Sequence, residues 1–296
     1  MSRFAVRVCG AAVVLMVLGA TSTQAGTFGS RRGTDTVGSS ARSGGTYASP
    51  YRRLVWHDEF TGSAGSSPNP ARWQIKTGGN GWGNNELQYY TTNQDNVSLD
   101  GAGHLTITAL RQNYSDGQDT RNYTSAQIVT DGRFQIKYGR IEARIKLPAG
   151  AGLWPAFWAV GSDSDWLTWP AGGEIDVMEN IGSDPFKTYA VIHGPAAYSK
   201  YGYNLITPKR SPTSLTGGFH VFGIDWSPGK IVFTLDGKPF STRTAGTLPV
   251  GATWAFDHPF YLILDLAVGG NFPGPPSRST RFPATMLVDW VRVYSR

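Results

Sequence analysis

Apolar and polar positions alternate along much of this chain with a period of two. In GRIEARIKL (139–147), Ile141, Ala143, Ile145 and Leu147 interleave with Arg140, Glu142, Arg144 and Lys146. Leu105, Ile107 and Ala109 repeat the pattern in LTITAL (105–110). Successive strand side chains point to opposite faces, so each run predicts a strand with one face in a core. In KIVFTLDGKPF (230–240), Asp236 and Gly237 supply the two positive-φ residues of a tight turn, which predicts a hairpin. Further runs read as strands at 152–160, 174–179, 188–193, 220–226, 260–268 and 287–294. Beyond the N-terminal leader no segment sustains a 3.6-residue period, and no internal repeat is found. Many short strands with Gly- and Pro-rich joints predict an all-β sandwich of two sheets.

The ends of the chain differ from this pattern. Residues 1–25 read as an export signal: Arg3 and Arg7 precede an apolar run at 11–18, and small residues end at Ala25. That run is too short to cross a bilayer core of roughly 30 Å, so a secreted protein without a membrane span is expected. Residues 26–50 contain fifteen Gly, Ser or Thr among twenty-five, which predicts a disordered tail or linker. Residues 51–296 then form one large domain. The single cysteine, Cys9, lies in the leader, so no disulfide is expected. Of the formal charge of +6, Arg3 and Arg7 supply +2, and Arg31, Arg32 and Arg42 less Asp35 supply another +2. The folded part keeps +2 and gives no reason to expect a nucleic-acid partner.

Charge is sparse, which makes GEIDVMEN (173–180) conspicuous. Glu174, Asp176 and Glu179 fall within six positions, spaced by two and then three. A regular strand would put Glu174 and Asp176 on one face with position 178, but that position is Met. One extra residue, a β-bulge, returns Glu179 to the shared face. Two glutamates four strand steps apart have Cα atoms about 13 Å from each other, so inward-leaning side chains can bring their carboxylates to about 5 Å. That separation suits retaining glycoside hydrolysis, with one carboxylate as nucleophile and the other as acid and then base. Crowding and burial keep at least one proton on such a group. By spacing alone, a solvated acidic strand end is the commoner case, and a Ca²⁺ site is a further alternative. The apolar neighbours Ile175, Val177, Met178 and Ile181 favour a buried central strand, where unpaired charge is expensive.

Ten Trp, thirteen Tyr and fourteen Phe mostly serve a core, but some fall beside polar chemistry. Trp154 and Trp158 share a strand face, Trp82 lies in the polar loop GGNGWGNNE, and Trp166 and Trp169 precede the acidic cluster. Rings beside carboxylates and amides suit an elongated, open sugar-binding cleft. A Gly-rich phosphate loop, a His-Glu-x-x-His site and a Cys pair are all lacking.

GGEIDVMENIG resembles the E-[ILV]-D-[ILV]-x-E signature of glycoside hydrolase family 16. NNELQYYT (84–91), GLWPAFWAVG (152–161) and LAVGGNF (266–272) resemble its bacterial endo-β-1,3-glucanase, or laminarinase, branch. The resemblance runs from about Val55 to Tyr294. It implies a β-jelly roll of two curved antiparallel sheets with a substrate cleft on the concave face. It also implies retaining hydrolysis of β-1,3-glucan by a monomer that needs no cofactor for chemistry. Glu174 then corresponds to the nucleophile and Glu179 to the general acid/base. Asp176 would tune the nucleophile, and His193 would lie near the acid/base unless it is only structural. Trp154, Trp158 and Trp169 correspond to cleft tryptophans, and Asn84, Glu86 and Arg140 to groups binding sugar hydroxyls. A structural Ca²⁺ would use backbone carbonyls of Glu59 and Gly103, with Gly101 as an alternative, together with Asp289. The branch commonly has LNLAVGGNW where this chain has Asp265 and Phe272, which leaves subsite preference open. Mixed-linkage glucanases usually lack the extra strand residue, and agarases and carrageenases often need more cationic clefts. Lectin-like relatives typically lose the glutamates, while transglycosylation remains chemically open.

Overall fold

The computed structural model describes residues 47–162 and 169–296. The expected export signal, residues 26–46 of the expected linker, and Trp166 lie outside the described residues. The first half of the chain supplies β1 (Arg53–Asp58), β2 (Gln74–Lys76), β3 (Gln88–Tyr90), β4 (Val97–Leu99), β5 (Leu105–Ala109), β6 (Tyr114–Ser115), β7 (Thr120–Arg121), β8 (Tyr123–Ser125), β9 (Gln127–Val129) and β10 (Gly139–Lys146). The second half supplies β11 (Leu153–Gly161), β12 (Glu174–Glu179), β13 (Lys187–Ala196), β14 (Ser199–Arg210), β15 (His220–Ser227), β16 (Lys230–Leu235), β17 (Lys238–Thr244), β18 (Phe260–Val268) and β19 (Ala284–Ser295).

Two antiparallel sheets stack as a β-jelly roll. One runs β17-β16-β15-β10-β19-β5-β4, with β1 also paired to β19, and the other runs β14-β13-β12-β11-β18-β9-β2. Between them lies one core. Ile141, Ala143 and Ile145 of β10 and Val288, Val291 and Val293 of β19 meet Phe157, Ile175, Ile192, Leu262 and Leu264 from the facing sheet. The alternation in 139–147 is therefore real, with Ile141, Ala143 and Ile145 inside. Asp236 and Gly237 adopt φ of 50° and 72°, as the β16–β17 hairpin requires.

Three features depart from the expectation. The twelve-residue β14 is an edge strand whose side chains are mostly exposed or half-buried, so it carries no clean alternation to read. The short β3–β8 pair is parallel. The ordered domain also begins before residue 51: the Tyr47 hydroxyl donates to the Asp225 carboxylate, and Tyr51 donates to the carbonyl of Trp226 at 2.7 Å.

Candidate active site

β12 lies centrally in its sheet, between β11 and β13. Its pairing with β11 runs Glu174 to Val160, Asp176 to Trp158, then Met178 to Phe157 and Glu179 to Ala156. Against β13 the register passes from Asp176–Val191 to Glu179–Tyr189. Both neighbours thus advance one residue fewer than β12, so the strand contains the bulge. Val177 is the residue without a partner on β11, and Val177 and Met178 both enter the core beside Ile175. Glu174, Asp176 and Glu179 share the opposite face. The interval from Val160 to Ala156 sets the two glutamate Cα atoms about 13 Å apart.

Indole N–H groups hold the carboxylates. Trp169 Nε1 donates to Glu174 Oε2 at 2.9 Å, and Trp154 Nε1 donates to Glu179 Oε1 at 2.9 Å. Trp158 Nε1 donates to Asp265 Oδ1 at 2.6 Å. Asp265 projects from β18 on the same outer face and also accepts from the Tyr90 hydroxyl at 2.8 Å. Glu86 joins this group through Gln88 Nε2 at 2.5 Å and through the Tyr90 hydroxyl and Asn84 Nδ2, each at 3.5 Å. His193 on β13 stands opposite Glu174. Its Nε2 lies 3.2 Å from Asp176 Oδ2 and 3.7 Å from Glu174 Oε1. The 3.2 Å approach is not aligned as a hydrogen bond, and Asp176 Oδ2 is otherwise without one.

Five buried carboxylates beside one imidazole cannot all ionise cheaply. Burial, then the Asp176 charge, pushes Glu174 up to about 8, while His193 and the Trp169 N–H pull it back. Burial pushes Asp176 to about 8, against its hydrogen bond with Glu174, and Asp265 adds to the rise. Glu179 is raised well above the usual carboxylate range by burial and then by Asp176. Burial and the neighbouring Asp265 push Glu86 to about 8, and burial lifts Asp265 to about 6. Near neutral pH the cluster retains protons, because burial and mutual repulsion raise Glu174, Asp176 and Glu179 together.

The bulged strand thus presents two glutamates flanking an aspartate, each outer carboxylate tethered by an indole. The sequence profile of glycosyl hydrolases family 16 matches residues 84–292. The chain belongs to family 16. A beta-glucanase from Rhodothermus marinus is 39% identical over 256 residues, covering 83% of this chain and 86% of that protein. The laminarinase catalytic domain from Thermotoga maritima superposes with a TM-score of 0.77 at 39% identity, covering 82% of this chain and 98% of that one. An endo-β-1,3-glucanase from Pyrococcus furiosus gives 0.76 at 42% identity, covering 82% and 94%. The protein is therefore a glycoside hydrolase.

Within this family 16 domain most expected site residues converge. Asn84 and Glu86 border Gly270 and Trp154: a Cβ on Gly270 would lie 3.2 Å from Asn84 O and 3.4 Å from both Glu86 Cγ and Trp154 Cζ3. Phe272 packs against Trp154 and Tyr189, with ring centroids 5.4 and 5.1 Å away. Arg140 does not converge. It lies on β10 in the other sheet, on the face opposite its core neighbour Ile141, and is ion-paired to Glu142 and Asp225. Alternation revealed that Arg140 faces outward but not from which side of the sandwich. His193 joins the cluster: its closest contacts are Asp176 and Glu174, because the β12–β13 register sets it opposite Glu174, and its charge also acts on Glu179. Trp82 is a packing residue, buried against Tyr90 with Nε1 donating to Gly78 O at 3.1 Å. Tyr90 and Asp265 escaped the list of expected site residues, although Asp265 is the single charge in the apolar run FYLILDLAV.

Glu59, Gly103 and Asp289 lie far from this cleft. Asp289 falls on β19 between the end of its pairing with β5, at Val288–Leu105, and the start of its pairing with β1, at Val291–Asp58. Chain topology thus brings the turn holding Gly103 and the end of β1 to one place. The Asp289 carboxylate is nevertheless ion-paired to Arg144, and that of Glu59 to Arg292.

Proposed function

We propose that this hydrolase cleaves internal β-1,3 linkages of a glucan with retention of anomeric configuration. The observation that carries the reading is the carboxylate trio on one face of a bulged strand, with Glu174 and Glu179 each oriented by an indole N–H. The names of the relatives, a laminarinase and an endo-β-1,3-glucanase, supply the substrate class. Glu174, which accepts from Trp169 Nε1 and faces His193, attacks the anomeric carbon. Glu179 gives its proton to the departing glycosidic oxygen, leaving a glycosyl ester on Glu174. Water then attacks the same carbon, Glu179 takes its proton, and Glu174 leaves as carboxylate. Asp176 stands between the two and, with His193, adjusts where the cluster's protons rest. Trp154, Trp158 and Trp169 wall the cleft, while Asn84 and Glu86 offer directed partners to sugar hydroxyls.

Product analysis on laminarin, lichenan, agarose and carrageenan tests the substrate, with cleavage of laminarin expected. NMR of the first product should show the retained anomer, and an inverted one would sink the mechanism. Full activity in Glu174→Ala would sink the nucleophile assignment.

The reading extends to a secreted, monomeric enzyme processed near Ala25; no helix among the described residues is long and apolar enough to cross a membrane. Mass spectrometry of the exported chain and light scattering test these points. The backbone convergence around Asp289 supports a structural Ca²⁺ there, although Asp289 would have to exchange Arg144 for the ion. A melting temperature unchanged by a chelator would reject it.

A further inference from the structure

Among the described residues, the three most exposed large apolar side chains are Val250 at 98%, Tyr198 at 90% and Tyr201 at 50%. They gather at the tip of the β13–β14 hairpin and on the adjoining 250 loop. Backbone contacts stitch the two together: Ala197 N donates to Gly251 O at 2.8 Å, Thr253 N donates to Pro195 O at 2.9 Å, and Ala196 bridges Ala252. The Tyr198 ring lies against Gly251, where a Cβ would come within 3.0 Å of Tyr198 Cε2. Lys200 Nζ sits 4.8 Å from the centroid of the Tyr201 ring. The hairpin also rests on the cleft wall, since a Cβ on Gly202 would lie 2.4 Å from Pro170 Cγ. Pro170 directly follows Trp169, whose indole holds Glu174.

We propose that Tyr198 and Tyr201 form an accessory glucan-holding platform, outside the cleft and continuous with its Trp169 side. The proposal rests on the β-glucan reading above. Two exposed aromatic rings present apolar faces for pyranose C–H surfaces, and their hydroxyls serve the sugar's own. Both rings stand at one hairpin tip, and the Tyr198 ring is held against Gly251 of the 250 loop and not left free. Size decides the class of partner. Two tyrosines and a valine offer well under the ~800 Å² per side that a specific protein interface buries, whereas a single polysaccharide strand needs no more than such a strip. Tyr198 is five residues beyond His193, about 16 Å of extended chain. Only a glucan several sugars long reaches both, so the platform acts on polymer and leaves short oligosaccharides untouched.

The test combines Tyr198→Ala with Tyr201→Ala. Binding to insoluble β-1,3-glucan particles is measured in a Glu174→Gln background, and turnover of a short β-1,3-gluco-oligosaccharide in the active enzyme. The double variant should bind the particles three- to tenfold more weakly and turn over the oligosaccharide at the parental rate. The paired Tyr→Phe variant, which keeps both rings, should retain most of the binding. Parental particle binding by the double Ala variant overturns the proposal, as does an equal loss on the oligosaccharide. A dimer seen by light scattering that the double variant abolishes would reassign the patch to self-association and also overturns it. If the parent neither binds nor cleaves β-1,3-glucan, the functional reading fails as well, a result distinct from loss of the platform alone.

Discussion

Replacing Trp154 or Trp169 by Phe separates the roles of the two glutamates. Each substitution keeps an aromatic wall and removes one N–H, from Glu179 Oε1 or from Glu174 Oε2. A hydrogen bond to a charged group contributes about 1.5–3 kcal/mol. At about 1.4 kcal/mol per pH unit, its loss raises the carboxyl by about one to two pH units. The half-buried Trp169 belongs at the lower end, since water can replace part of what it gave. The two variants should differ in which limb of the kcat/KM profile moves. Glu179 must be protonated to act first, so Trp154→Phe carries its proton to higher pH and shifts the alkaline limb upward. Glu174 must be ionised, so Trp169→Phe shifts the acid limb upward and narrows the bell. The assay is the pH dependence of kcat/KM on soluble β-1,3-glucan. Movement of the acid limb in Trp154→Phe would reverse the assignment, and no movement in either variant would refute the tuning by indole N–H groups.

Glu86→Gln tests the cluster's electrostatic strain through stability. Burial and the neighbouring Asp265 push Glu86 up to about 8 from the ordinary glutamate value of 4.5. Between those values the folded state holds the extra proton, so stability falls as pH rises through that window. In urea titrations the variant should match the parent within about 1 kcal/mol at pH 5, and exceed it at pH 9 by up to roughly 5 kcal/mol. A parent equally stable at both values would contradict this. Gly152→Ala would place a Cβ 2.2 Å from Pro276 N at a residue with φ of 77°, so calorimetry should show a loss of about 3 kcal/mol or more. Deleting Val177 removes the bulge and restores an even Glu-x-Asp-x-Glu strand with all three carboxylates on one face. It should cost about 2–4 kcal/mol of stability from the lost core side chain yet keep measurable hydrolysis. Inactivity equal to that of Glu174→Ala would show that the bulge does more than realign Glu179.

The chemistry of this site was legible because it is local. Strand geometry converts the two-then-three spacing in 174–179 into one shared face plus one extra residue, with no distant contact required. The strands at 174–179 and 260–268 were readable to their end residues because apolar runs end at turn-forming neighbours. β14 was not, because an edge strand exposed on most of its length has no buried face to write into its sequence. The tryptophans were legible as cleft residues. Their service as hydrogen-bond donors to Glu174, Glu179 and Asp265 was not, since a donor's direction depends on which carboxylate another strand delivers.

By itself, then, the sequence determined a β-sandwich, the β12 bulge, the three carboxylates and the family. These follow from periodicity, turn chemistry and a motif confined to a few consecutive residues. Only the tertiary structure decided the neighbours: His193 beside Asp176, Asp265 and Tyr90 beside Glu86, Arg140 on the far side of the sandwich, and Tyr198 on the rim beyond Trp169. Which of two sheets a strand joins, and in which register, depends on pairings many tens of residues apart. The proton affinities of the buried carboxylates arise from those pairings and from the water they exclude.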